Sequence, residues 1–303
     1  MDWFWILLIV FGALAVLIVA LLFIIGRILV LKICRPDHYS RDYCYKTDQE
    51  KGVLVDCPPL KRDRWNFLMP DGYCIHGDVS LQDPKKFILF VHGYTWSREG
   101  GLKYVKYFYS EGYSVILYDQ RGHGDNRDVA TTMGYQEAKD LKEIIRQIRE
   151  QYGKETEIAL HGESMGAATA LEVLKYEKDL SFIVADSPYS SLRNLVKFQF
   201  GLMHLPSFLI PFSNFWFKKR FGFKLDDVSA LDAVKDSHVP LLLLQGDDDL
   251  LVGKGQIDLL KDHTSAYCET YHFPSSQHTC ERFDSPEEYE KDVRHFLTNI
   301  LRK

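Results

Sequence analysis

The chain has no long basic block, and its formal net charge is −5. Phosphate binding draws on clustered Lys and Arg, so no nucleic-acid partner is expected. It also has no Cys-x-x-Cys pair: its cysteines, Cys34, Cys44, Cys57, Cys74, Cys268 and Cys280, fall at irregular intervals without a matching His pattern. That spacing argues against a zinc site. A chain of 303 residues can build its own hydrophobic core, which argues against a disulfide framework. Neither a metal nor an organic cofactor is expected.

Charge is missing altogether from Trp3 to Gly26, where nearly every side chain is aromatic or aliphatic. About 20 apolar residues in a helix cross the hydrocarbon layer, so this run is long enough. Trp3 and Trp5 lie near its start, where amphipathic rings favour the membrane interface. A cleaved leader fits poorly, because the run has no basic n-region and no small-x-small site follows it. A lipoprotein signal ending at Cys34 fails at Lys32 and Ile33, which stand where small residues belong. Residues 1–26 are therefore expected to anchor the chain in the cell membrane by a single pass. Asp2 precedes the run, and Arg27, Lys32, Arg35, Arg41 and Lys46 follow it, which places the rest of the chain on the cytoplasmic side.

Residues 27–60 are polar, mixed in charge and carry Pro36, Pro58 and Pro59; they read as a connector lifting a domain, 61–303, off the bilayer. In that domain short apolar runs alternate with amphipathic stretches, the pattern of strands and crossover helices. Trp65–Met69 and Tyr73–Leu81, separated by Pro70-Asp71-Gly72, predict an opening hairpin. Phe87–Val91, Tyr113–Tyr118, Ile158–Leu160, Phe182–Ala185, Val239–Leu244 and Cys268–Phe273 predict buried parallel strands. Gln136–Gln151 and Gly166–Tyr176 carry helical periodicity. The expected class is α/β, a mostly parallel sheet with helices on both faces. Residues 189–227 break the alternation, with many aromatics and with Pro206 and Pro211, and read as an inserted helical cap. Packing of those aromatics directly on the sheet is the competing reading.

The strongest local pattern is Leu160-His161-Gly162-Glu163-Ser164-Met165-Gly166-Ala167-Ala168. A predicted strand ends, a serine stands between two glycines, and a small-residue helix begins. Such a strained turn exposes a serine hydroxyl at a sheet edge, and bulk at Gly162 or Gly166 would strike neighbouring backbone.

His92-Gly93-Tyr94, Arg121-Gly122-His123-Gly124, Gly162-Glu163-Ser164-Met165-Gly166 and Gly246-Asp247-Asp248-Asp249-Leu250-Leu251-Val252 follow in order, with His278 before a helical Tyr289–Leu301. In this the chain resembles the α/β-hydrolase superfamily, in particular its bacterial single-span members, from about Asp63 to Leu301. The resemblance implies Ser164 as nucleophile, Asp249 as acid and His278 as base, in the chain order of that fold. It implies an oxyanion hole from the backbone N–H groups of Tyr94 and Met165. Asp247, Asp248 and Asp186 stay open as other acids, and His263 and His272 as other bases. His92 and His123 are expected to make scaffolding hydrogen bonds. Relatives often carry Ser where this chain has Asp125. The implied activity is hydrolysis of esters, with acyl or lipid-like substrates favoured. A peptidase or amidase, an acyltransferase and a non-catalytic scaffold are the alternatives.

Overall fold

The computed structural model describes residues 3–126 and 129–301. Asp2, invoked above as the N-terminal flanking charge, lies outside the described residues. Eight strands form one sheet: β1 Asp63–Leu68, β2 Cys74–Ser80, β3 Lys86–Val91, β4 Ser114–Tyr118, β5 Glu157–Glu163, β6 Ile183–Asp186, β7 Leu241–Gly246 and β8 Cys268–Phe273. Their order is β1-β2-β4-β3-β5-β6-β7-β8. The β1–β2 hairpin pairs antiparallel, as does β2 with β4, and all later neighbours are parallel. Strands β3 and β4 are almost wholly buried, as expected of strands covered on both faces.

The helices are α1 Trp3–Cys34, α2 Arg41–Glu50, α3 Val105–Tyr109, α4 Tyr135–Tyr152, α5 Met165–Glu172, α6 Leu192–Leu202, α7 Ile210–Phe221, α8 Ala230–Lys235, α9 Gln256–His263, α10 Glu281–Asp284 and α11 Pro286–Leu301. One core cluster joins the sheet to α4, α5, α8 and α9 through residues such as Leu141, Ile144, Ala170 and Ile257. A second covers the opposite face, where Tyr107 and Phe108 of α3 meet Val293 and Phe296 of α11. The alternating apolar pattern thus becomes a three-layer sandwich, the solution that hides both faces of a parallel sheet.

A third cluster extends beyond these layers, meeting the first through Met165 and Ala168 of α5. It joins α6 and α7 to the C-terminal half of α1, with Val30 and Cys34 packed beside Val196, Phe200, Leu209 and Phe217. The aromatics of residues 189–227 are thereby divided between a wall above the sheet and a seat for α1. Pro211 is tolerated in the first turn of α7, where its missing N–H has no helical partner to lose.

Helix α1 does not stop where its uncharged run ends. It continues through Arg27 to Cys34, about 48 Å at 1.5 Å per residue. Its most apolar stretch is left uncovered by the described residues. Gly26 meets α7: a Cβ there would come within 2.8 Å of the Phe212 carbonyl carbon. Phe23 stacks edge-on against Phe212 and Phe215, and Trp216 Nε1 donates to the Phe23 carbonyl at 2.7 Å.

Residues 27–60, expected as a spacer, are largely helical and packed on the domain. Arg41 of α2 pairs with Glu99, Asp78 and Asp125. Arg98, fully buried, also reaches Asp78 and Asp125, and pairs with buried Asp119 at 2.9 Å. Asp125, which stands where relatives often have Ser, is thus a shared anion for three arginines, Arg41, Arg64 and Arg98. Buried cations need such partners, and that requirement ties α2 to the sheet's rim.

Candidate active site

Because β3 and β5 through β8 are parallel, their C-terminal ends share one edge, where ligands of open α/β sheets gather. Four of these ends supply the site. Val91 ends β3 and leads into His92-Gly93-Tyr94; Glu163 ends β5 immediately before Ser164. Gly246 ends β7 three residues before Asp249, and Phe273 ends β8 five before His278.

Ser164 caps α5 with φ +55° and ψ −119°, a conformation that non-glycine residues rarely hold. Its N–H donates to the Asp186 carbonyl at 2.8 Å, which fastens the turn to β6. The two flanking glycines have no room for a side chain. A Cβ on Gly162 would lie 2.4 Å from the Gly166 carbonyl oxygen, and one on Gly166 would lie 1.9 Å from that of Val91. Both obstacles are backbone, so neither can rotate away. Gly166→Ala is therefore expected to cost more than about 4 kcal/mol of stability, the range reserved for forced backbone displacement and similar faults. A denaturant melt of the purified chain measures it.

The structure brings Ser164, His278 and Asp249 together. His278 Nε2 lies 2.7 Å from Ser164 Oγ, and His278 Nδ1 lies 2.7 Å from Asp249 Oδ2. The other carboxylate oxygen of Asp249 accepts the N–H groups of Leu251 and Val252 at 2.8 and 3.0 Å. Asp249 is buried at 1% exposure, so both its oxygens are directed by the protein and not by solvent. A carboxylate only accepts hydrogen bonds, so the imidazole proton sits on Nδ1 and Nε2 is left to accept the serine hydroxyl.

The other candidates lie elsewhere. Asp247 faces His272 at 3.3 Å, and Asp248 faces Lys254 at 3.5 Å. His272 also meets Asp258, and His263 bonds to the Leu259 carbonyl on its own helix. Asp186 is fully buried, accepting from Tyr289 Oη at 2.9 Å and Tyr104 Oη at 3.3 Å. Burial, then the neighbouring carboxylates Glu281 and Glu163, hold its carboxyl well above the usual range. His92 accepts the Gln120 N–H on Nε2 while its Nδ1 meets the Gly93 carbonyl; burial pulls its pKa down to about 4. His123 is likewise buried, bonded to the Arg121 carbonyl and pulled down to about 3. Both rings are neutral struts.

Tyr94 and Met165 line the same cavity as Ser164 and His278. Met165 is the first residue of α5, where backbone N–H groups lack helical partners and the helix dipole is positive. The cavity measures about 520 Å³, within the range of small-molecule sites. Its walls are predominantly apolar, with Leu195 and Phe200 from α6, Met203 just beyond its end, Leu251 from the loop carrying Asp249, and Leu29 and Ile33 from α1.

Two contributions were not foreseen from the sequence. The first is Glu281, three residues beyond His278. It is buried, and its Oε1 accepts both Ser187 Oγ at 2.7 Å and the Gly246 N–H at 2.6 Å. Ser187 Oγ in turn accepts the Thr279 N–H at 3.2 Å, so one carboxylate ties the ends of β6 and β7 to the His278 loop. The second is α1 itself. Tyr94 Oη donates to the Ile33 carbonyl at 2.7 Å, joining the proposed oxyanion loop to the end of that helix. A signal for it was present: Gly26, Leu29, Val30, Ile33 and Cys34 follow the i, i+3, i+4, i+7, i+8 spacing of a packed helical face.

Comparison with known proteins agrees with this architecture. A family model described as serine aminopeptidase, S33, matches residues 82–223, just under half of the chain. That match includes Ser164 and ends before Asp249 and His278. The chain is 26% identical over 260 residues to the uncharacterized protein YqkD of Bacillus subtilis, covering 84% of this chain and 85% of that one. It is 27% identical over 202 residues to lysophosphatidylserine lipase ABHD12 of Danio rerio, covering 60% of this chain and 49% of that protein, so it spans about half the length of this relative. Among solved structures, the Pyrococcus furiosus esterase Pf2001 superposes with TM-score 0.67 at 24% identity, covering 88% of this chain and 99% of the esterase. An acylaminoacyl peptidase of Pyrococcus horikoshii superposes with TM-score 0.61 at 18% identity, covering 83% of this chain and 43% of the peptidase.

Proposed function

We propose that this chain, which has the α/β-hydrolase fold, is a serine hydrolase of that superfamily acting on carboxylic esters with an acyl chain. Ser164 is the nucleophile, His278 the base and Asp249 the acid that orients it. The observation carrying this reading is the pair of 2.7 Å contacts linking the three side chains at one sheet edge. In the first half-reaction Ser164 Oγ attacks the ester carbonyl and gives its proton to His278. The imidazolium returns that proton to the departing alcohol, leaving an acyl-serine. Water then attacks with the same base, releasing the acid and restoring the hydroxyl. The N–H groups of Tyr94 and Met165 hold the oxyanion in both steps.

Residues 1–26 anchor the enzyme in the cell membrane, residues 61–303 form the hydrolase domain on the cytoplasmic side, and 189–227 form its cap. The apolar cavity supports an acyl substrate, as does the lipase among the relatives. The test is a series of p-nitrophenyl esters of rising chain length. Rates should climb from acetyl to longer acyl groups, and a sharp preference for acetyl overturns the acyl reading. The S33 family model and the acylaminoacyl peptidase make amides the second substrate class. Cleavage of an aminoacyl amide at a kcat/KM above that of the best ester would establish that reading instead.

A further inference from the structure

The geometry points to a second membrane contact besides the anchor: we infer that the cap is itself seated in the bilayer surface, and that the substrate cavity opens at that level to receive a single-chain amphiphile from the leaflet. This rests on the ester-hydrolase reading above, and deepens it by naming the surface from which substrate arrives.

The argument starts from the depth of Phe23. It lies three residues before the end of the uncharged run, within about 5 Å of that end along the helix axis. If the run occupies hydrocarbon, whatever touches Phe23 lies at the edge of the hydrocarbon. Phe212 and Phe215 pack on its ring, and Trp216 bonds to its carbonyl. These contacts set the height of α7 relative to the bilayer. Arg27 lies over the Trp216 ring, a cation and an indole paired where the interface favours both.

The cap also exposes apolar side chains that a water-facing surface would not group. Leu202 is 46% exposed, Met203 52%, Phe208 60% and Phe215 46%; Leu250 and Leu251, beside the acid, are 66% and 54% exposed. Lys218, Lys219 and Arg220 follow at the end of α7, and with Arg27, Lys32 and Arg35 they place exposed cations at headgroup level. An apolar face bordered by cations is the composition of interfacial membrane elements. Here a spanning helix already fixes the face to the membrane, so a bilayer is the occupant that covers it.

The cavity then falls at the right height. Leu29 and Ile33, its α1 wall, lie about 5–10 Å beyond Gly26 along the helix. Each headgroup layer is roughly 5–8 Å thick. Met203 and Leu251 belong both to the cavity lining and to the exposed apolar set, so the rim is itself apolar. A monoacyl ester can slide its chain between α1 and α6 while its ester group meets Ser164, without leaving for water.

The test uses the full chain reconstituted in phosphatidylcholine vesicles, with a long-chain monoacylglycerol in the membrane and p-nitrophenyl butyrate in solution. Leu202→Asp combined with Phe208→Asp changes two exposed residues that do not line the cavity. Hydrolysis of the vesicle-borne ester should fall tenfold or more while the soluble ester is turned over within twofold of the parent rate. Equal rates on both substrates, or an equal fall on both, overturn the inference. A readout free of turnover separates this from failure of the enzymatic reading. A solvent-sensitive fluorophore on Phe208→Cys, referenced to the parent labelled identically, should shift blue and be quenched by spin-labelled lipid. No shift on reconstitution overturns the docked cap, whatever the enzyme hydrolyses.

Discussion

Replacing Ser164 by alanine is expected to abolish labelling by a fluorophosphonate probe and to lower kcat by about 10⁶, the loss seen when a serine nucleophile acting in concert with its base is removed. His278→Ala should cost nearly as much, and the double variant little more. The reason is the shared contact: with His278 Nε2 at 2.7 Å from Ser164 Oγ, neither side chain does its work without the other. Residual turnover would come from the oxyanion donors and from binding, which both variants keep. Each variant should melt like the parent, because a truncated Ser164 leaves its backbone bond to Asp186 intact. Persistent labelling of Ser164→Ala would remove the nucleophile assignment. No labelling of the folded parent would favour a binding scaffold.

Asp249→Asn is expected to reduce kcat by about 10⁴ with a much smaller change in KM. The amide keeps the size of the carboxylate but adds an N–H₂ donor. One position of the Asp249 side chain accepts two backbone N–H groups, Leu251 and Val252, and only an oxygen can do so. The amide oxygen therefore stays there, and the NH₂ is turned toward His278 Nδ1. That nitrogen must then accept, which moves the ring proton to Nε2, where it faces the serine and blocks proton removal. The inversion is specific to this geometry and is checked by steady-state kinetics. Asp247→Asn and Asp248→Asn, whose side chains face His272 and Lys254, should stay within a few-fold of the parent. If either matched the Asp249 loss, the acid would be misassigned.

The layout of the sheet's centre was legible because strands such as β3, β4 and β7 are buried on both faces and so read as apolar runs. Val239–Leu244 is expected, and β7 runs Leu241–Gly246; Cys268–Phe273 matches β8 in its bounds but not in its burial, because β8 is an edge strand with only Phe273 buried. The positions of Ser164, Asp249 and His278 were legible for a different reason, the glycine spacing and loop order of a resembled family. What the sequence did not disclose was long-range polar satisfaction. Glu281 looks like any acid at a helix start, and its bonds to Ser187 and Gly246 exist only once three strand ends have met. Arg41 likewise sits in a polar stretch that composition alone assigns to a loose spacer. Its pairing with Glu99, Asp78 and Asp125 draws on residues up to 84 positions away.

The transition into the domain was misjudged because charge marks where a helix leaves hydrocarbon, not where the helix ends. Arg27 and Lys32 put a stop to the apolar run, while Val30 and Cys34 on another side of the same helix are buried in the cluster that includes α6 and α7. A period-2 or run-length reading averages those faces together; a 3.6-residue period separates them.

If the first helix spans a bilayer as proposed, its unbroken passage from lipid to the cleft beside Ser164 means the two halves of the molecule are not interchangeable parts. A protease has no slack hinge between them at which to shed a working soluble enzyme, and a replacement anchor grafted at residue 35 would leave the cleft missing one side. Any water-soluble version has to keep the turns from Leu22 onward, and so must carry a strip of lipid-loving surface with it.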